Sequence, residues 1–281
     1  MFFLDLAQVR RKGPIPLTGE PPQAKRYCVS AIVSTYKSEL FIEGRLKDLL
    51  AQTLGEQLEI IVVDSGSPEN ESAIVRRYQK QHSNIQYIRT EQRENLYQAW
   101  NRGIRAASGK YLTNSNTDDR LRPDALEVLA RELDQNPSIA LVYADFLITG
   151  FENQDFGSHI CTGYSLRPEY HPNIMLAGCH MGPQPMWRRS VHDEIGYFDE
   201  SFFAAGDYEF WCRLAIRHHM KHVPEFLGLY LHNGAGVSNS DLQRSWAEAQ
   251  RVQDMYRPHF PAPAADLPTG FYFRDAVRPG G

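Results

Sequence analysis

The stretch "KYLTNSNTDDRLRPDAL", residues 110–126, begins with the pattern of a buried strand and ends with that of a helix. Pro123 suits the first turn of that helix, because its fixed φ is helical and an N–H there would have no partner within the helix. The turn between strand and helix is small and polar, and it contains the adjacent carboxylates Asp118 and Asp119. Because neighbouring carboxylates repel one another, this turn predicts a positive group close by.

Apolar strands and amphipathic helices alternate on both sides of this stretch. The apolar runs "YCVSAIVSTY" and "LEIIVVDSGS" precede it, and "SIALVYADFLIT" follows it. The clearest helical segment places its apolar residues on one face, namely Leu96, Ala99, Trp100, Gly103, Ile104 and Ala107. This alternation is typical of βαβ units, so we predict an α/β fold with a mostly parallel central sheet and helices on both faces.

Three of the predicted strands end in polar residues, which are Ser34-Thr35-Tyr36, Asp64-Ser65-Gly66-Ser67 and Asn116-Thr117-Asp118-Asp119. Because the carboxyl ends of parallel strands meet at one edge of a sheet, we expect these groups to share one ligand-binding crevice. A divalent cation, Mg²⁺ or Mn²⁺, would supply the positive charge, since it binds few carboxylates together with phosphate oxygens and water. Helix capping is the alternative role for such acids, and it would account for one of them, Asp119.

Composition excludes several classes of protein. The 281 residues carry a net charge of −4 and no polybasic patch, so nucleic acid is not an expected partner. The four cysteines form no CxxC pair, which is typical of reduced thiols and favours a cytoplasmic setting. The chain shows neither a signal-peptide pattern nor an apolar run of the roughly 20 residues that a membrane helix needs, and peripheral association with the inner membrane face stays open.

The second half offers further candidates for chemistry. Asp207 and Glu209 lie in the first turn of a predicted helix, where acids usually partner the helix dipole, but an ionised carboxylate there also suits a general base. We rank Asp207 first and Glu209 second. His218 and His222 in "HHMKH" have helical spacing without a third metal ligand, so this segment is predicted to be a solvated helix end. His232, ahead of "NGAGVSNS", could reach a phosphate or a metal.

Four blocks of the sequence together resemble the family 2 glycosyltransferases, which have the GT-A fold. They are "VSAIVSTYKSELFIEGRLKDLLAQTL", "EIIVVDSGSPENE", "NLYQAWNRGIRAASGKYLTNSNTDDRLRPDAL" and "RRSVHDEIGYFDESFFAAGDYEFWCRLA". The resemblance implies a hexosyltransferase with a nucleotide-diphosphate-sugar donor, UDP-sugar first, a divalent cation (Mg²⁺ or Mn²⁺) and inversion at the anomeric carbon. It implies a glycan, lipid-linked or protein acceptor, as in the synthesis of cell-surface polysaccharide.

The resemblance also implies roles for individual residues. The donor-binding residues would be Ser34, Thr35, Tyr36, Asp64, Arg93, Asn116 and Thr117, with Asp64 accepting from the base, usually uracil. Asn116-Thr117-Asp118 occupies the slot of the family's metal-binding DxD motif, so Asp118, Asn116 and His232 are the metal candidates. Asp207 matches the acid that acts as general base.

Three positions depart from the family pattern: Asn116 replaces the first Asp of DxD, Ser65 replaces a second acid after Asp64, and Gly206 replaces the Glu that commonly precedes the base. Asn116 and Gly206 motivate a second hypothesis, a non-catalytic sugar-nucleotide-binding or assembly module of the same fold. A dehydrogenase or methyltransferase on a Rossmann sheet is disfavoured, because no Gly-rich turn follows the first strand.

Domain boundaries follow from composition and from the resemblance. Residues 1–26 are predicted to be a tail or linker, 257–281 a Pro-rich tail, and 27–256 one GT-A domain with a Rossmann-like nucleotide-binding half (27–120) and an acceptor half (121–256). Within "GCHMGPQPMW", residues 178–187, His180, Met181 and Trp187 either stack on an acceptor sugar or belong to the core, and the sequence leaves both open.

Overall fold

The computed structural model describes residues 27–232, 236 and 240–262 and the backbone of 272–273. The strands are β1 (Val29–Thr35), β2 (Leu58–Asp64), β3 (Ile85–Arg89), β4 (Tyr111–Asn114), β5 (Arg120–Leu121), β6 (Ile139–Thr149), β7 (Gly163–Ser165), β8 (Met186–Arg188), β9 (His219–Leu231) and β10 (Tyr272–Phe273). The helices are α1 (Glu39–Leu50), α2 (Glu71–Gln79), α3 (Leu96–Ala106), α4 (Ala125–Gln135), α5 (Val191–Ile195), α6 (Gly206–Ala215) and α7 (Leu242–Tyr256). Among the described helices, none combines the length and the apolar character needed to cross a membrane.

One sheet organises the described strands. Its order is β10-β7-β6-β8-β4-β1-β2-β3, and β9 pairs with both β6 and β5. The pairs β1–β2, β2–β3 and β1–β4 are parallel, whereas β8 runs antiparallel to both β4 and β6. The α/β prediction is confirmed, with a parallel first half and a mixed second half.

Helices cover both faces of the sheet because the central strands are apolar on both faces. All seven residues of β2 are buried. One core cluster packs residues of α1, α2 and α4 on the sheet, including Ile42, Val75 and Leu126. The other lies on the α3 and α6 side and is rich in aromatic rings, including Trp187 and Trp211.

Helix α3 begins at a capping box and packs closely on β1. The Asn95 side chain accepts from the backbone N–H of Gln98, and the Gln98 side chain accepts from the backbone N–H of Asn95, each at 2.9 Å. Further along, a Cβ at Gly103 would lie 2.5 Å from a methyl carbon of Ile32. The absence of a side chain at this position therefore brings α3 against β1 and places its first turn near the carboxyl ends of the strands.

The segment "HHMKH" does not form the solvated helix end that its spacing predicts. Strand β9 begins at His219, because the chain there pairs in parallel with β6. His222 is buried, and its ring nitrogens lie 2.8 Å from Asp145 and 3.2 Å from Glu169. The predicted tail at 1–26 lies outside the described residues, and within 257–281 the short strand β10 pairs with β7.

Candidate active site

The carboxyl ends of β1, β2 and β4 lie side by side. In the parallel register Thr35 pairs with Asp64, and the N–H of Ser65 donates to the carbonyl of Thr35 at 3.1 Å. On the other side of β1, the N–H of Ser115 donates to the carbonyl of Ile32 at 2.8 Å. The structure therefore brings the three polar strand ends to one edge of the sheet.

Arg93 reaches this edge from the segment before α3. Its guanidinium carbon lies 4.2 Å from the centre of the Tyr36 ring, a separation at which a cation and an aromatic face attract. Lys37, which follows Tyr36, has a positive φ of 53°, and its N–H donates to Ser67 Oγ at 3.0 Å. These contacts fix the loops after β1 and β2 against each other and hold Arg93 beside the end of β1.

Asp64 is fully buried and is held by three donors. It accepts from the N–H of Ser67 at 2.8 Å, from the hydroxyl of Tyr87 at 2.5 Å and from the Arg89 guanidinium. A carboxylate offers about four acceptor positions, so these donors use most of them. Asp64 therefore organises the loop after β2. To bind a nucleobase, its carboxylate would have to lose one of these donors or become exposed.

Two buried arginines lie beneath the Asp118-Asp119 turn. Arg45, fully buried in α1, donates to the Asp119 carbonyl at 3.2 Å and to Asp48 at 2.7 Å. Arg120 donates to the carbonyls of Thr117 at 2.8 Å and Asp119 at 2.6 Å. Part of the positive charge that the paired acids require is therefore supplied by the protein itself. The sequence analysis missed Arg45, because nothing near it in the sequence links it to this turn, and it assigned no role to Arg120, which directly follows Asp119.

The two acids of the turn differ in environment. The Asp119 carboxylate is buried and accepts from the N–H of Leu231 and from the Asn116 amide, both at 3.2 Å. Burial and the charge of Asp118 raise the pKa of Asp119 to about 7. Asp119 does not cap the next helix, since the N-cap position of α4 belongs to Asp124. Asp118 is partly exposed, and burial raises its pKa although Arg45 and Arg120 lower it.

The turn suits a hard cation that takes few protein ligands. Asp118 offers carboxylate oxygens, and Asn116 keeps its carbonyl oxygen because its amide nitrogen is bonded to Asp119. His232 follows Leu231, so it lies next to this turn. Within the described ranges no three His, Cys, Asp or Glu side chains cluster as a metal site. A cation here would therefore depend on ligand oxygens, as Mg²⁺ and Mn²⁺ do with phosphates.

Asp207 lies in the first turn of α6 and is partly buried. Its Oδ1 accepts from the N–H of Tyr208 at 2.8 Å and lies 3.4 Å from the hydroxyl of Tyr97, while Oδ2 lies 3.9 Å from the thiol of Cys179. Burial raises the pKa of this carboxyl to about 6, and the three donors oppose the rise. Asp207 is therefore an ionised acid at neutral pH with appreciable basicity.

Helix α7 fixes the loop ahead of Asp207. The carboxylate of Glu248 accepts from the N–H groups of Phe203 at 2.8 Å, Ala204 at 2.8 Å and Ala205 at 3.2 Å. These N–H groups precede α6, which has no side-chain cap of its own. The sequence analysis missed Glu248, because the acid that satisfies this loop comes from a distant helix.

Glu209, the second-ranked acid, is committed to packing between α6 and α7. Its buried carboxylate accepts from Arg213 at 2.6 Å and from the hydroxyl of Tyr256 at 2.6 Å. Two residues along a helix separate side chains by about 200°, so Glu209 and Asp207 point to different sides of α6. Of the two candidates, Asp207 is the one whose carboxylate stays available.

One short segment joins the Asp118-Asp119 turn to Asp207. Gln184 accepts from Arg45 beneath the turn at 2.5 Å, and Cys179 lies against Asp207. Cys179 and Gln184 are five positions apart in the sequence, which spans at most about 18 Å when fully extended. The Asp118-Asp119 turn and Asp207 are therefore linked through the two ends of this segment, and Tyr97 of α3 lies beside Asp207.

The same segment contains the residues proposed for the acceptor. Met181 and Trp187 are almost fully buried, and the Trp187 ring nitrogen donates to His192 at 2.9 Å, so the core alternative describes these two. His180 is also buried, and burial with the nearby charge of Arg167 lowers its pKa to about 4. Its Nε2 has no hydrogen-bond partner within the described residues.

Comparisons with known proteins identify the family of the chain. The model of glycosyl transferase family 2 matches residues 30–196. The uncharacterized glycosyltransferase YwdF of Bacillus subtilis (strain 168) is 27% identical over 243 residues, which cover 86% of this chain and 86% of that protein. The chondroitin synthase of Escherichia coli is 25% identical over 195 residues, which cover 69% of this chain but only 27% of that protein.

Solved structures show the same fold. S. aureus TarS 1-349 in complex with UDP-GlcNAc matches with a TM-score of 0.66 and 18% identity, over 83% of this chain and 67% of that one. The mannosyltransferase PcManGT from Pyrobaculum calidifontis, in complex with GDP-Man and Mn²⁺, matches with a TM-score of 0.60 and 18% identity, over 80% of this chain and 65% of that one. The chain belongs to glycosyl transferase family 2 and is a glycosyltransferase of the GT-A fold.

Proposed function

We propose that this glycosyltransferase moves a sugar from a nucleotide-diphosphate donor to an acceptor hydroxyl with inversion at the anomeric carbon. Asp118 holds a divalent cation at the diphosphate, and Asp207 is the general base. The observation that carries the proposal is the link from Arg45 beneath the Asp118 turn, through Gln184, to Cys179 at Asp207. This link supports a single crevice shared by the two acids, as an in-line displacement requires.

The donor lies along the strand ends in this proposal. The loop from Ser34 to Tyr36 and the Arg93 guanidinium border the nucleotide, while Asn116 and Thr117 lie at the diphosphate. Asp118 and Asn116 would hold the cation, which would supply positive charge to stabilise the departing diphosphate. Support comes from two neighbours of the same fold, one solved with UDP-GlcNAc and one with GDP-Man and Mn²⁺.

The acceptor is activated by Asp207. Its carboxylate takes the proton of the acceptor hydroxyl as that oxygen attacks the anomeric carbon from the side opposite the diphosphate. A pKa of about 6 suits this role, because the carboxylate is ionised at neutral pH and more basic than an exposed aspartate. The acceptor is a hydroxyl of a glycan, a lipid-linked sugar or a protein.

One observation favours a second function, a sugar-nucleotide-binding or assembly module without turnover. Asn116 supplies a neutral amide where a carboxylate would bind a cation more strongly, and its amide nitrogen is already bonded to Asp119. A weakly held cation would permit donor binding with little catalysis.

A donor panel separates the two functions. The protein is incubated with Mn²⁺ and UDP-, GDP- or dTDP-sugars, and nucleotide release and donor binding are both measured. We expect release with one donor, UDP-sugar first, and loss of release with retained binding in Asp207→Asn. The control is Asp193→Asn, which makes the same change in the first turn of α5. Donor binding without release or transfer to any acceptor would support the module instead.

A further inference from the structure

Tyr97 and Gly206 meet beside the candidate base, Asp207. A Cβ at Gly206 would lie 2.7, 2.8 and 2.9 Å from three ring atoms of Tyr97. Contacts under 3.0 Å are essentially never made by real Cβ atoms. The Tyr97 ring therefore occupies the volume that any other residue at position 206 would need for its side chain.

The Tyr97 ring has little room to move away. It is almost fully buried, and it packs edge-on against Trp100 at 5.5 Å and in a stacked arrangement with Phe198 at 6.0 Å between ring centres. Aromatic packing of this kind fixes a ring more firmly than a flexible aliphatic side chain. The position of the phenol oxygen is thus set by the core beneath α3 and α6.

This fixed oxygen lies 3.4 Å from Oδ1 of Asp207. Burial and the charge of Asp207 raise the pKa of Tyr97 well above its ordinary value, so the phenol stays protonated and can donate. The N–H of Tyr208 donates to the same oxygen at 2.8 Å, while Cys179 is the group facing Oδ2, at 3.9 Å. Two donors therefore lie at Oδ1, whereas Oδ2 faces only the more distant thiol among the described residues.

We propose that Tyr97 is a positioning residue for Asp207, and that glycine at position 206 provides the space that its ring requires. The inference deepens the proposed function, since it rests on Asp207 as the base. The phenol fixes the plane of the carboxylate and presents Oδ2 to the acceptor hydroxyl. The residue before the base is then free of any side chain because the positioning group comes from α3 instead.

Tyr97→Phe tests the hydroxyl while keeping the ring. Removing a donor to the charged carboxylate raises its pKa. We expect the carboxyl ¹³C titration of Asp207, assigned with Asp207→Asn, to move to higher pH, and kcat to fall about 10-fold. The matched control is Tyr143→Phe, which loses a buried hydroxyl bonded to the Pro168 carbonyl at 2.7 Å. An unchanged titration in Tyr97→Phe, or an equal shift in Tyr143→Phe, would overturn the proposal.

Gly206→Ala tests whether the Tyr97 ring requires glycine at position 206. In the wild-type background the new Cβ meets the Tyr97 ring, so we expect a lower Tm and a lower kcat. In a Tyr97→Ala background the ring is gone, and alanine is favoured over glycine within a helix, so the same substitution should raise Tm. A lower Tm of equal size in both backgrounds would show that the ring is not what requires glycine.

Failure of the proposed function would look different. If Asp207→Asn retained full turnover, Asp207 would not be the base, whereas the ¹³C titration would still report whether Tyr97 donates to it. If Asp207→Asn were inactive while Tyr97→Phe kept the wild-type kcat and titration, the proposed function would stand and the positioning role of Tyr97 would be wrong.

Discussion

One aspartate lies at the end of β2 and another at the start of α6, and the two differ in burial and in the hydrogen-bond donors around them. Asp64 is fully buried and accepts from Ser67, Tyr87 and Arg89. Asp207 is partly exposed, with donors at 2.8 and 3.4 Å from one oxygen and, among the described residues, only a thiol at 3.9 Å from the other. An acid surrounded by donors organises a loop, whereas an acid left with open acceptor capacity can exchange a proton with a substrate.

The Asp118-Asp119 turn repeats this contrast between adjacent residues. Asp119 is turned inward and accepts from Leu231 and Asn116, whereas Asp118 stays partly exposed. In both comparisons the residue type is the same, and the donors that the fold supplies to each carboxylate differ.

The largest expected effect is at Asp207. Asn keeps the size of the side chain but cannot accept a proton, so kcat should fall about 10³-fold, within the range of general-base removal. Donor affinity should stay within twofold, because Asp207 is placed at the acceptor. Steady-state kinetics and calorimetric donor titration measure the two quantities. A kcat within tenfold of the wild-type value would mean that Asp207, like Asp64, is not the acid that takes the proton.

The next largest effect on activity is expected for Asp118→Ala. Losing the carboxylate that we propose holds the cation should lower kcat/KM about 10²- to 10³-fold, as removal of charge stabilisation at a leaving group does. The activation curve for Mn²⁺ should shift to higher concentration or vanish. Asp124→Asn, at the N-cap of α4, is the control and should keep the wild-type Mn²⁺ curve. Full Mn²⁺ activation in Asp118→Ala would contradict the assignment.

The pH dependence of kcat/KM tests Asp207 as the general base without any substitution. The pKa of Asp207 is raised to about 6, so the carboxyl is ionised above that pH and protonated below it. Activity that needs the base should therefore be present above pH 6 and fall about tenfold per unit below it. A log plot of kcat/KM against pH shows the break. Activity that persists undiminished to pH 4.5 would mean that no carboxyl of this pKa takes the proton.

Asp64→Asn should act on stability more than on chemistry. The amide cannot accept equally from Ser67, Tyr87 and Arg89, and it removes the charge that Arg89 faces. Because Arg89 is partly exposed, we expect a loss of about 2 kcal/mol in the free energy of unfolding. Denaturant unfolding measures this loss. A kcat decrease as large as that of Asp207→Asn, with unchanged stability, would place Asp64 in the chemistry.

The smallest effect on activity is expected for Glu209→Gln. Its carboxylate lies between Arg213 and Tyr256, so the change should cost about 1–2 kcal/mol of stability through weakened hydrogen bonds. Its kcat should stay within threefold of wild type once the protein is folded. Kinetics well below Tm check this. Loss of turnover in a fully folded Glu209→Gln protein would return Glu209 to the candidates for the base.

The features that could be predicted from the sequence are those that short stretches of consecutive residues determine. The polar ends of β1, β2 and β4 and the apolar face of α3 each depend on a few consecutive residues. The supports of the site could not be predicted, because they join distant residues. Arg45 and Asp119 are 74 positions apart, and Tyr97 and Asp207 are 110 apart. The error at "HHMKH" has the same origin, since pairing with β6 overrides the helical spacing of His218 and His222.

The central claim is that Asp118 and Asp207 face one crevice, and it can be tested by distance. A ¹⁹F probe is attached to Cys179, 3.9 Å from Asp207, in a protein whose other three cysteines are replaced. The ¹⁹F line width is recorded as Mn²⁺ and UDP are added. We predict strong paramagnetic broadening that Asp118→Ala abolishes. A sharp line in protein shown by calorimetry to bind Mn²⁺ and UDP would contradict the claim.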